Sequence, residues 1–207
     1  MSKQCEPPKI EKEKLLIVEG IDEVVVISQI LKNNNIEDIQ LIPFGGKSIL
    51  KNYMKDVLIK DSNFLAVKSI GIIRDADDNY EGAFDSVCSA LRSSGLDVPN
   101  SENEKTVGNP MISIMILPGN SKNGSLENIF IDSVQDDPLI NCVDQYFNCV
   151  SEVKGNIPKQ IGKAKVHVFL SANINDPDKR LGESVKAGIW NLNNTAFYLL
   201  HKFINQL

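Results

Sequence analysis

A chain of 207 residues is long enough to bury a core of its own, and with 42% hydrophobic and 24% charged residues it fits neither a disordered nor a fibrous class. Its formal net charge of −5 argues against a protein that coats nucleic acid through a broad basic surface, so any phosphate chemistry has to rest on a local site. No apolar run approaches the roughly 18 to 20 residues that cross a bilayer, and the start MSKQCEPPKIEKEK is charged where a signal peptide is apolar, so the expectation is a cytoplasmic protein with no membrane partner.

In chain order, residues 1–14, rich in Lys, Glu and Pro, read as a loose arm. The apolar run Leu15-Leu16-Ile17-Val18 predicts a buried strand that turns at Glu19-Gly20. Val24, Val25, Ile27, Ile30 and Leu31 recur at helical spacing over Ile21 to Lys32, and Asn33-Asn34-Asn35 ends that pattern. A second unit follows, with Ile39 to Ile42 as strand, Pro43-Phe44-Gly45-Gly46 as loop and Lys47 to Leu58 as helix. The third strand, Ser69 to Arg74, breaks at Asp75-Ala76-Asp77-Asp78-Asn79, and Phe84, Val87, Cys88 and Leu91 make the next stretch helical. A fourth apolar run, Met111 to Leu117, precedes the loop Pro118 to Gly124 and a segment beginning Ser125-Leu126-Glu127.

From Asp136 onward the sequence reads as three or four helices packed on one side, with Asp136-Asp137-Pro138 as a helix start; Lys165 to Leu170 suits strand or helix equally. Apolar strands alternating with amphipathic helices predict an α/β fold of the Rossmann-like kind, a mostly parallel four-stranded sheet flanked by helices. The predicted organisation is an arm over residues 1–14, an α/β core over 15–135 and a helical extension of the same domain over 136–207.

Ligands of such folds sit outside the carboxyl ends of the strands. Glu19 follows the first strand, Asp75 and Asp77 follow the third, and Glu127 lies beyond the fourth, so all four are expected at one sheet edge. Crowded carboxylates repel and persist mainly where a cation compensates them. Mg²⁺, or Mn²⁺ in its place, is the expected ion, because it takes hard oxygen ligands together with water and phosphate. The Asp-x-Asp spacing suits this, since alternate residues of an extended chain point to one side. Asp and Asn after strands also cap helices and start turns, which is the competing structural reading of Asp75 to Asn79.

Glu19-Gly20 after an apolar strand and Asp75-Ala76-Asp77 after a later one resemble the two defining motifs of the Toprim domain, found in topoisomerases, bacterial primases, overcoming-lysogenization-defect nucleases and ribosomal-RNA maturases. The likeness runs from Leu15 to Asp78. Glu19 through Glu23, Asp75, Asp77 and Ser125-Leu126-Glu127 are most similar to the nuclease branch. The chain as a whole, including Asp178 to Glu183 and Lys186 to Trp190, also looks like a small stand-alone Toprim-like family without assigned function. The resemblance implies a Toprim-like α/β fold in which Glu19 is a metal ligand and general base or acid, and Asp75 and Asp77 ligate one or two ions. Glu23, one helical turn beyond Glu19, would add an oxygen in a two-metal scheme, with Asp22 as competitor for that role. Glu127 would complete a second metal site beside Ser125, a donor to phosphate.

Nuclease relatives also require a cation against the charge that builds on phosphate, and Lys186 and Lys179 are the candidates. Lys47, after Gly45-Gly46 and before a helix, is a separate phosphate-binding candidate, although the pattern lacks the full P-loop spacing. The chain carries no recognisable topoisomerase tyrosine domain, primase zinc module or preceding ATPase domain. The expected function is therefore Mg²⁺-dependent hydrolysis or nicking of DNA or RNA, of the kind found in phage or plasmid defence. Competing expectations are a non-catalytic nucleic-acid or protein-interaction module that acts with a partner, and a phospho-accepting domain modified at Asp75; the oligomeric state, a homodimer included, stays open.

His167 and His201 are too far apart for a metal or nucleophile constellation. Trp190, Phe197, Tyr198 and Phe203 are spaced for core packing rather than base stacking. Cys5, Cys88, Cys142 and Cys149 show neither a CxxC pair nor the spacing of a disulfide framework and are expected as free thiols or core residues.

Overall fold

The computed structural model describes residues 9–46 and 49–207. Strands β1 (Lys14–Val18), β2 (Ile39–Pro43), β3 (Ser69–Asp75) and β4 (Met111–Leu117) form one sheet in the order β2-β1-β3-β4, with every pairing parallel. The α/β class is as the alternation of strand and helix predicts. Helices α1 (Ile21–Asn33), α2 (Leu50–Asp56) and α3 (Tyr80–Ser93) connect the strands, and α4 (Leu126–Ser133), α5 (Leu139–Lys154), α6 (Ile161–Ser171), α7 (Leu181–Lys186) and α8 (Tyr198–Asn205) follow the sheet.

Strand periodicity divides the core into two layers. Leu15, Ile17, Ile70, Ile72, Ile112, Ile114 and Ile116 meet α2 and α3 on one face. Leu16, Val18, Ile73, Met115 and Leu117 meet α1 and α4 to α8 on the other. A sheet buried on both faces needs apolar residues at consecutive positions, which is why β1, β3 and β4 read as nearly continuous apolar runs. Because α1 lies opposite α2 and α3, the chain reverses its direction of travel across the sheet between β1 and β3, which creates the crevice where such folds bind ligands.

The C-terminal helices complete the second layer. Phe130 is fully buried, its ring 5.0 Å from both Trp190 and Phe197 in edge-on contact. Ser184, also fully buried, accepts from the Trp190 indole at 2.7 Å and donates to the Leu181 carbonyl. Helix α8 approaches β3 over Gly71, where a Cβ would come within 2.6 Å of Leu207 and 2.9 Å of Leu16. Trp190, Phe197 and Phe203 are core residues as predicted, while Tyr198 is exposed.

Four sequence expectations need correction or completion. The loose arm does not extend to residue 14, because Ile10 is buried and its amide donates to Asp61 at 3.1 Å; residues 1–8 lie outside the described residues. The helix expected over Lys47 to Leu58 is described from Leu50 to Asp56 and passes into a 3-10 turn at Leu58–Lys60. Lys165 to Leu170 is helical, within α6. Cys88 is buried and Cys142 and Cys149 are exposed, all three as free thiols.

Candidate functional site

Val18 pairs with Ile73, so Glu19 and Asp75 leave neighbouring strands at almost the same level, on the two sides of the switch point. The pleat then separates their directions. Glu19 continues the side of Leu15 and Ile17, where Arg74 also points, and its carboxylate lies 3.8 Å from the buried Arg74 guanidinium. Asp75 is on the opposite side, where its Oδ1 accepts the Leu126 amide at 3.0 Å and so ties β3 to the start of α4. Glu23, buried in the first turn of α1, reaches back to the Gly20 amide at 2.9 Å. Glu127, buried in the first turn of α4, accepts from Ser125 Oγ at 2.7 Å.

These residues surround a cleft of about 350 Å³ lined by Glu19, Gly20, Asp22, Glu23, Asp75 and Glu127, with Gly45, Gly46 and Lys163 at its edge. Amides of Phe44 and Gly45 bond to the carbonyls of Val18 and Glu19, which carries the β2 loop alongside the cleft. Gly46 has φ of 115°, a conformation essentially confined to glycine.

Burial raises the Asp75 carboxyl well above the ordinary aspartate range, and the charges of Glu23, Glu127 and Glu19 push it further. The Leu126 amide opposes that rise only in part. Glu23 is raised first by burial and then by Glu127 and Glu19, against the pull of its own amide and that of Gly20. For Lys163, 3.4 Å from Glu127, burial alone would lower the ammonium; the charge and hydrogen bond of Glu127, with Asp75 and Asp22 beyond, raise it.

The structure thus brings Glu19, Glu23, Asp75 and Glu127 into one cleft, with Asp22 on its wall. Asp77 borders a neighbouring cleft of about 170 Å³ with Asn123, Ser125 and Asn128. Asp77 has φ of 50° and exchanges two backbone hydrogen bonds of 2.7 Å with Gly124, so the alternation of an extended chain does not extend to it. Asn79 caps α3 by accepting the Gly82 amide, which is the structural reading of this acidic turn. Ser125 joins the two clefts through its bond to Glu127.

Lys186 is exposed at the end of α7 and lines neither of these clefts, and Lys179 is paired with Asp176. Lys47 lies outside the described residues. Among the described residues the cation lining the cleft is Lys163, which sequence reasoning missed because nothing local distinguishes it from any other lysine on a helix; only the docking of α6 on α4 brings it there. Arg74, read in the sequence as the end of a strand, was missed in the same way.

The donor set suits a hard divalent cation: carboxylate oxygens in excess of the nearby positive charge, two of them on groups whose ionisation the cleft disfavours. Among the described residues no group of three or more His, Cys, Asp or Glu side chains already stands close enough together to hold a metal ion. Glu23 and Asp75 each commit an oxygen to a backbone amide.

A family model described as a protein of unknown function, DUF3226, matches residues 13–207. No curated protein matches the chain. The crystal structure of a hypothetical protein from Pyrococcus horikoshii OT3 is similar to it, with a TM-score of 0.54 at 16% identity over 95% of each chain, a likeness of fold alone.

Proposed function

This chain belongs to the DUF3226 family of proteins of unknown function, and for a member built in this way we propose Mg²⁺-dependent hydrolysis or nicking of phosphodiesters in DNA or RNA, after the manner of a Toprim-type nuclease. The observation that carries the reading is the meeting of Glu19, Glu23, Asp75 and Glu127 in one cleft at the switch point of the sheet. A structural role explains one of these carboxylates at a time, as a helix cap or a loop tie. It does not explain why four gather where Glu19 and Glu127 disfavour the charge of Glu23, and all three disfavour that of Asp75.

Glu19, Glu23 and Asp75 would hold the ion, with Glu127 and Asp77 on the side of a second. When bound, Mg²⁺ supplies Lewis-acid polarisation of a phosphoryl oxygen and lowers the pKa of a coordinated water. Glu19 accepts or returns a proton at the carboxylate that Arg74 holds. Lys163 presents its ammonium to the charge that builds on phosphate, the role expected of Lys186 or Lys179. Gly45 and Gly46 leave the wall beside them without side chains, so a sugar-phosphate backbone can approach the acidic groups closely.

Incubation of supercoiled plasmid and folded RNA with the protein and Mg²⁺ or Mn²⁺ tests the reading. Nicked or shortened products that require metal and vanish in Asp75→Ala are expected. Equal turnover by wild type and Asp75→Ala, or no turnover by the wild type on any substrate, would overturn it.

A further inference from the structure

Beside the acidic cleft, and sharing Asp22, Glu127 and Lys163 with it, lies a second cleft of about 350 Å³. Its other polar walls are His167 and Arg180, so three nitrogen-bearing side chains converge there beside the carboxylates of Asp22 and Glu127. Lys163 and His167 are four residues apart on α6 and therefore share one helix face. Arg180 comes from the start of α7, and α7 packs closely on α1, a Cβ on Gly182 lying 3.3 Å from the Asp22 carboxylate. Four helices, α1, α4, α6 and α7, thus build this corner. Other lysines nearby are engaged elsewhere, Lys165 with Asp144 and Lys179 with Asp176, while among the described residues no ion pair joins Arg180 or His167 to a carboxylate.

We propose that this second cleft is a phosphate subsite, in which His167 and Arg180 take the phosphate next to the scissile one that Lys163 faces, and so set the direction in which a single strand crosses the acidic cleft. The inference rests on the phosphodiester reading of that cleft. On a chain of net charge −5, a strand is held against overall repulsion only by local donors of this kind. Lys163 belongs to both clefts and bridges them, while Arg180 and His167 touch only the second. Arg180 binds the flanking phosphate through its planar fork, and His167 adds a ring N–H.

Fluorescence anisotropy of a labelled 5′-phosphorylated single-stranded oligonucleotide, in Ca²⁺ so that binding is read apart from cleavage, tests the subsite. Arg180→Ala and His167→Ala are each expected to weaken binding about tenfold. The slope of log affinity against log salt should fall by about 0.7 in Arg180→Ala and recover in Arg180→Lys. Lys154→Ala, at the far end of α5, serves as control, with circular dichroism to show that each variant is folded. Wild-type affinity and slope in Arg180→Ala, or no oligonucleotide binding by the wild type, would overturn the subsite. Binding that weakens as expected in a protein that cleaves nothing in Mg²⁺ sustains the subsite and removes the hydrolytic reading.

Discussion

Replacing Asp75 by Asn should make the metal-free protein more stable while destroying the site. Asp75 occupies the part of the cleft where burial and three other carboxylates act against its charge, and its one described compensation is the Leu126 amide at 3.0 Å. Asparagine keeps an oxygen for that amide and discards the charge. Relieving such a functional strain typically adds about 0.5 to 2 kcal/mol. With three like-charged neighbours, about 1 to 2 kcal/mol is expected, which in a chain of this length raises Tm by about 2 to 8 °C. The gain must also depend on pH. The folded protein holds the Asp75 proton above 3.8, where the unfolded chain has begun to release it, so unfolding releases a proton in that window and wild-type stability falls as pH rises through it. Melting curves in EDTA should therefore nearly coincide for wild type and Asp75→Asn near pH 4 and diverge towards pH 8. A variant less stable than wild type at pH 8, or a difference independent of pH, would refute the electrostatic reasoning.

Phe130→Ala removes a fully buried ring that touches both Trp190 and Phe197, and urea denaturation should show a loss of about 3 to 5 kcal/mol. Ser184→Ala leaves the buried Trp190 indole N–H without its acceptor, a loss of about 1 to 3 kcal/mol by the same method. Gly71→Ala forces a methyl between Leu207, Leu16 and Phe203, all buried; about 1 to 3 kcal/mol of destabilisation is expected, with hydrogen exchange increased first in α8. Lys163→Met removes the cation beside Glu127, and a lower kcat with little change in single-strand affinity would agree with a role at the reacting phosphate rather than in general attraction.

The sheet could be read from the sequence because β1, β3 and β4 are buried on both faces, which leaves nearly continuous apolar runs such as Met111 to Leu117, where Ser113 is the one polar residue. Glu19 and Asp75 were legible for a related reason: in an open parallel sheet the residue that ends or follows a strand has a known place, and these two places adjoin; Glu127, beyond the loop after β4, was legible through the likeness of Ser125-Leu126-Glu127 to the nuclease branch. Asp77 shows the limit of that logic, since the spacing argument assumes extended backbone and the chain turns left-handed there. Lys163, His167 and Arg180 follow from the docking of α6 and α7 against α1 and α4, a long-range outcome with no local trace. The burial of Ile10 in a polar stretch is equally a tertiary effect, its side chain packed in the core and its amide bonded to Asp61 some fifty residues away.

Anomalous scattering from crystals soaked in Mn²⁺ tests the central claim most directly. A peak within the cleft, bound by oxygens of Glu19 and Asp75 and absent from Asp75→Asn crystals, is the predicted result. At saturating Mn²⁺, a cleft with no peak, or ions held only at surface carboxylates elsewhere, would contradict it.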